Sequence, residues 1–207
     1  MANKKSIYSV HPGVAMVQKW IKDLSAKTGR SFEEWLDHIR RDGPATEKEA
    51  RDWLKTQYGM GTNTAWWLAE RARGNPMGLS EENPDQYLAM AVIYVKDMYS
   101  GPKAALKPIY EALLALCLSM AKDVKACPCK TMVPLYRKYV FAQIKPTTRT
   151  RIDFGLALKD TKAVGNLIDT GGYAKKDRIT HRFAITSVKG ITAEVKKWLK
   201  KAYEMDK

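Results

Sequence analysis

Six cations in the second half of the chain, Lys130, Lys145, Arg149, Arg151, Arg178 and Arg182, have the type and spacing to hold phosphate. A guanidinium offers forked donors and a permanent charge, and an ammonium offers a compact one. The spacing matters because two runs alternate with period two. Ile152, Phe154, Leu156 and Leu158 alternate with Arg151, Asp153, Gly155 and Ala157, while Ile179, His181, Phe183 and Ile185 are separated by Thr180, Arg182 and one further residue. Successive side chains of a strand point to opposite faces, so Arg151, Asp153, Arg178, Thr180 and Arg182 are expected to face away from the core. Arg137, Lys145 and Arg149 fall near strand ends. Tyr136, Tyr139 and Phe141 would supply surfaces on which the bases of single-stranded nucleic acid stack. The same residues allow another arrangement, in which a further element covers this face and Asp153 pairs with an Arg internally.

Acid–base chemistry has one candidate centre. His181 would reach a proton if it bordered a cavity with Asp153, Asp169 or Asp177, although a histidine on an apolar strand face also fits a satisfied core residue. No Ser-His-Asp order, paired carboxylate motif or phosphate-binding loop accompanies it, so no catalytic residue is assigned. The three cysteines are Cys117, Cys127 and Cys129. One residue between Cys127 and Cys129 is not the two-residue spacing of zinc or thioredoxin-like sites. Lys125 and Lys130 nearby would favour a thiolate, but plain strand-edge thiols suffice, and neither a metal nor a cofactor is expected.

A third pattern lies in the first half. Residues 53–68 read as a helix, the turn Gly59-Met60-Gly61, and a second helix opened by Thr62, Asn63 and Thr64, with Ala65 four residues after Gly61. This stretch resembles the helix-hairpin-helix motif. The resemblance implies that hairpin amides and the second helix's N-terminus hold a backbone phosphate, as free N–H groups and the helix dipole allow. Gln57-Tyr58 stands where that motif carries Leu-Pro, and no basic residue follows Gly61 directly. A plain helical hairpin, with Gly59 as C-cap and Thr62 as N-cap, needs the same residues.

The elements that must position these groups are legible from periodicity. Val14, Val17, Trp20, Ile21 and Leu24 mark a helix over 13–27. Ser31 with Glu34, and Thr46 with Glu49, open two more in capping-box pattern, and Gly74 ends a fourth. Gly74-Asn75-Pro76-Met77-Gly78 is the strongest breaker cluster. Asn83-Pro84 starts a helix over 84–99, and Gly101-Pro102 opens another through Met120. From Val124 the period changes to two. Strands are expected near 139–145, 151–158 and 178–186, with Lys145–Arg149 as a hairpin turn, a long loop over 159–177, and a closing helix over 191–203.

Charge separates the halves. Residues 1–100 carry 14 Lys+Arg against 13 Asp+Glu, and residues 101–207 carry 22 against 9. Such asymmetry points to an anionic partner for the later half, though lysines on solvated faces also serve solubility. With 45% hydrophobic residues the 207-residue chain can bury packed cores, and no apolar run is long enough to span a bilayer. The start lacks a secretory leader, and the odd cysteine count fits a reducing compartment, so a cytoplasmic location is expected.

The chain also resembles a group of bacterial proteins that pair two domains of unknown function. The first is carried by His11-Pro-Gly-Val-Ala-Met-Val-Gln-Lys-Trp20, Lys27-Thr-Gly-Arg-Ser31, Glu33-Glu-Trp-Leu36 and Gly61-Thr-Asn-Thr-Ala-Trp-Trp-Leu-Ala-Glu-Arg71. The second is carried by Val124-Lys-Ala-Cys-Pro-Cys129, Phe141-Ala-Gln-Ile-Lys-Pro146, Arg149-Thr-Arg-Ile-Asp153 and Arg178-Ile-Thr-His-Arg182. The resemblance implies the two-part architecture and no particular activity.

The expected fold is α+β, with a helical domain over 1–80 followed by a basic domain over 84–207 that holds an antiparallel sheet of four to five strands flanked by helices. The expected function is a non-enzymatic binding module for nucleic acid or another phosphate-rich ligand, with no membrane partner. Arg149, Arg151, Arg178, Arg182, Lys130 and Lys145 would make the contacts, and Gly59, Gly61, Thr62 and Thr64 a second anchor. Two alternatives stand beside it: an enzyme or small-molecule receptor with a pocket around His181 and Asp153, and an interaction adaptor using Trp66, Trp67 and Tyr87.

Overall fold

The computed structural model describes residues 6–74 and 83–207. The chain divides into two compact units, Val10–Tyr87 on one side and Met1–Ser9 with Leu88–Lys207 on the other. The division falls at Tyr87/Leu88, within a few residues of the expected boundary, and the first described residues group with the later unit. The Ser9 N–H donates to the Ala126 carbonyl at 2.9 Å, and the Tyr8 and Tyr110 hydroxyls lie 3.0 Å apart. The expected breaker cluster lies, beyond Gly74, outside the described residues.

The first unit is helical: α1 (Pro12–Thr28), α2 (Phe32–Asp42), α3 (Glu47–Tyr58) and α4 (Thr62–Arg73). Each start has a local cause. The His11 ring accepts the Gly13 N–H with Pro12 at the first helical position, Ser31 and Glu34 form the reciprocal capping box, and Thr46 accepts the Glu49 N–H. These contacts satisfy amides that a helix start otherwise leaves open. The apolar faces close on one core of Val17, Leu24, Phe32, Trp35, Ile39, Leu54, Trp67 and Leu68, in which Phe32 stacks on Trp67 at 4.9 Å.

The second unit takes up α5 (Pro84–Met98) from Leu88 onward and continues with a 3-10 turn over Gly101–Leu106 and α6 (Lys107–Leu118). Six strands follow: β1 (Lys125–Ala126), β2 (Val133–Tyr136), β3 (Val140–Pro146), β4 (Ile152–Leu156), β5 (Ile168–Asp169) and β6 (His181–Ile185). A short 3-10 turn at Val188–Gly190 leads into α7 (Ala193–Met205). All pairings are antiparallel, in the order β1-β2-β3-β4-β6-β5. β3 and β4 form the expected hairpin, with Ile144 opposite Phe154 and Lys145 opposite Asp153.

Period-two alternation puts Ile144, Ile152, Phe154, Leu156, Phe183 and Ile185 on one buried face, and α6 and α7 contribute Ile109, Leu113, Trp198 and Leu199 to the same core. A register shift between Leu135 and Tyr136 leaves Phe141 and Ala142 both buried, as a bulge does. Phe141 packs edge-on against Tyr203 at 5.6 Å, so it is no stacking surface for a base.

A candidate anion-binding site

The six sequence-assigned cations divide into two groups. Arg151 and Arg182 both reach Asp153, from Nε at 2.9 Å and from Nη1 at 3.0 Å. Arg178 donates from Nε to the Val140 carbonyl at 2.8 Å and from Nη2 to Asp206 at 2.5 Å. All three guanidiniums carry internal ion pairs, and for Arg151 and Arg182 the partner is Asp153, the alternative stated for this face. Arg137 behaves alike, pairing with Asp123 at 3.0 Å while its guanidinium lies 4.4 Å from the centre of the Tyr203 ring.

The face itself is also partly covered. A Cβ at Gly155 would come within 2.7 Å of Ile179 and 2.8 Å of Gln143, so Ile179 lies across the outer face instead of pointing inward as the alternation suggested. The reason is that β6 begins only at His181. Arg178 and Ile179 precede the strand and are not bound to its alternation. Thr180, expected outside, is buried, and its hydroxyl accepts the Leu158 N–H at 3.1 Å.

The second group converges. Lys130, Lys145 and Arg149 line one open cavity of about 740 Å³ together with Lys103. Three segments bring them there: the 3-10 turn carries Lys103, the loop between β1 and β2 carries Lys130, and the β3–β4 hairpin carries Lys145 and Arg149. The Lys103 ammonium donates to the Pro146 carbonyl at 2.6 Å, which ties the 3-10 turn to the hairpin. None of the four makes an ion pair among the described residues, and Asp97 is the one carboxylate on the wall. Ser100, Thr131 and Thr147 add hydroxyls. The site is therefore a groove of donors with excess positive charge, suited to an extended anion. Lys103 was not found in the sequence, where it is one lysine after a Gly-Pro break. Only the docking of the 3-10 turn brings it to the hairpin.

Residues 95–206, which include all four cations, match the family model described as Domain of unknown function (DUF5655). The chain belongs to this family. Residues 16–74 match a second model, Domain of unknown function (DUF4287). No curated protein and no solved structure matches the chain. The two matches agree with the expected pairing of two domains of unknown function, a helical one and an α+β one.

Within the DUF5655 region, His181 and Asp153 do not meet. His181 pairs across from Leu156, and Asp153 across from Ala184, so they occupy opposite faces of the sheet. His181 is buried, with Nδ1 paired to the Thr180 hydroxyl at 2.8 Å and Nε2 buried without a hydrogen-bond partner among the described residues. The thiols of Cys117 and Cys127 are buried and Cys129 is half-buried. Among the described residues no group of three His, Cys, Asp or Glu side chains is placed to hold a metal ion, and no helix is long and apolar enough to cross a membrane.

In the DUF4287 region, Gly59 ends α3 with a left-handed φ of 61°, which glycine adopts without strain. Gly61, and not Thr62, is the N-cap of α4, so the first turn has neither a side-chain cap nor an acidic residue. Gly59, Gly61 and Thr64 line a cavity of about 220 Å³ with Lys27 and Trp67, whereas Thr62 does not. Of the three aromatics considered for an adaptor surface, Trp66 is exposed, while Trp67 and Tyr87 are buried.

Proposed function

We propose that the chain binds the phosphate backbone of nucleic acid through the groove of Lys103, Lys130, Lys145 and Arg149. One observation carries this reading: four cations from three separated segments line a single open cavity, and among the described residues none of them is neutralised by an ion pair. Repulsion among four unpaired cations disfavours gathering them, so their convergence is best explained by an anion that occupies the groove. The groove is open and its donors are spread along it, which fits a chain of phosphodiesters recognised without base readout.

The Gly59-Met60-Gly61 hairpin is a second, weaker anchor in this reading. Its resemblance to helix-hairpin-helix motifs gains support from the uncapped start of α4 and from Lys27 beside it.

The test is binding of the full chain to single- and double-stranded oligonucleotides over a salt series. Four phosphate contacts give a log–log salt slope of up to about −3 to −4. Lys130→Glu with Arg149→Glu should abolish binding at moderate salt, and each single change should reduce the slope by about one. Absence of binding at low salt, or loss on Arg182→Ala with none on the groove variants, overturns the assignment.

A further inference from the structure

A second cavity, of about 550 Å³, is lined by Lys159, Tyr173, Ala174, Lys176, Asp177, Arg178 and Thr180. It shares no residue with the groove: Arg149 precedes β4, and Lys159 follows it. Two features set this cavity apart.

The first is its backbone. Among the described residues, Lys159 at φ 54° and Lys176 at φ 61° are the two non-glycine residues with left-handed backbone, and both line this one cavity. The other left-handed positions are glycines, including Gly165 and Gly171 in the same stretch of chain. A β-carbon in that conformation is unfavourable, and glycine or asparagine is the ordinary solution. Two lysines kept where glycine fits better point to a use for their side chains. Neither ammonium has an ion-pair partner among the described residues.

The second feature is Arg178. Nε and Nη2 are held by Val140 and Asp206, the guanidinium lies 5.1 Å from the centre of the Tyr139 ring, and the side chain is still 45% exposed. Nη1 makes no hydrogen bond within the described fold. The guanidinium is thus fixed in orientation with donors left over, which lowers the entropic cost of holding an anion. Tyr173 is 56% exposed and puts an aromatic ring on the same wall.

We infer that this cavity binds a phosphate monoester attached to a planar base. The Lys159, Lys176 and Arg178 side chains are three separate donor groups, matching the three terminal oxygens of a monoester better than the two of a backbone diester. The Tyr173 ring is the stacking surface for the base. The same chemistry occurs in a mononucleotide and at the 5′-phosphorylated end of a strand.

Calorimetry on the full chain tests this with adenosine 5′-monophosphate, inorganic phosphate, adenosine, and a short oligonucleotide with and without its 5′-phosphate. The monophosphate or the 5′-phosphorylated strand binds, adenosine does not, and inorganic phosphate binds more weakly. Binding of the monophosphate identifies the free nucleotide as sufficient; with Lys130→Glu and Arg149→Glu present to empty the groove, binding of the phosphorylated strand but of neither the unphosphorylated strand nor the monophosphate identifies the strand end. Lys159→Gly and Lys176→Gly each weaken binding by roughly tenfold, the loss of one charged contact. Their Tm is unchanged or raised, because glycine relieves the left-handed backbone. Tyr173→Ala weakens the nucleotide by about tenfold and leaves inorganic phosphate unaffected. Lys130→Glu leaves monophosphate binding intact, which separates this site from the groove. Equal binding of adenosine and its monophosphate, or glycine variants that lower Tm and leave affinity unchanged, overturns the proposal.

Discussion

The Arg178 guanidinium donates to the Asp206 carboxylate at 2.5 Å, joining the segment before β6 to the residue that ends α7. The Asp206 side chain is 1% exposed, and its other oxygen accepts the Lys138 and Tyr139 N–H groups at 3.1 and 2.9 Å. One buried carboxylate thus fixes the turn before β3, the end of the last helix and an arginine of the second cavity.

Removing the two partners should have unequal effects. Asp206→Ala leaves two backbone donors and the Arg178 Nη2 without their acceptor, whereas Arg178→Ala leaves a carboxylate that still accepts two N–H bonds. Breaking a buried pair costs about 3–5 kcal/mol, and the exposure of Arg178 reduces this. The expected loss is about 2–4 kcal/mol for Asp206→Ala and about 1–2 kcal/mol for Arg178→Ala, read from urea unfolding. Equal losses would mean that the two N–H bonds contribute little.

Arg73 closes the helical unit by a different device. Its Nη2 donates to the Ile39 carbonyl and to the Gly43 carbonyl at 2.9 Å, and its Nε donates to the Pro44 carbonyl at 2.9 Å. The Ile39 carbonyl also accepts the Gly43 N–H, so one guanidinium from α4 clamps the last turn of α2 to the Gly43-Pro44 turn that follows it. Arg73→Ala should cost about 2–3 kcal/mol. Arg73→Lys should recover less than half, since a single ammonium cannot reproduce the fork. Hydrogen exchange at the C-terminal turn of α2 is the local readout, and an unchanged rate there would refute this role.

The helices were legible because their signals are local. Ser31 with Glu34 and Thr46 with Glu49 each fix a helix start within four residues, and the alternation of Ile152, Phe154 and Leu156 fixes which face of β4 is buried. What failed was long-range. Nothing near Arg178 in sequence indicates that Asp206 is its partner, and nothing near Lys103 indicates that Pro146 holds it. Alternation assumes that a strand runs through the residue in question. Ile179 lies before His181, where β6 begins, and so the inward face inferred for it was wrong. Of the six cations assigned from the sequence, Lys130, Lys145 and Arg149 line one groove, and Lys103 joins them there only through the fold.

The thiols bear on alkaline stability. Burial, reinforced by Cys129 and opposed by Lys125, pushes the Cys127 thiol from 9.0 up to about 12, and burial pushes the Tyr136 phenol from 10.0 up to about 12. Burial raises Cys117 in the same direction. In each case folding favours the neutral form. That stabilisation is complete below about pH 9 and is lost as the pH climbs toward 12, because the unfolded chain ionises first. Unfolding free energy should therefore fall from pH 9 to 11, by up to about 1.4 kcal/mol per pH unit for each group that ionises only in the unfolded chain. Cys127→Ala should flatten this slope. Alkylation at pH 8 supplies a second measurement: half-buried Cys129 reacts first in the folded chain, and all three thiols react in denaturant. Rapid modification of Cys127 in the folded chain would contradict its burial and remove the basis for the slope.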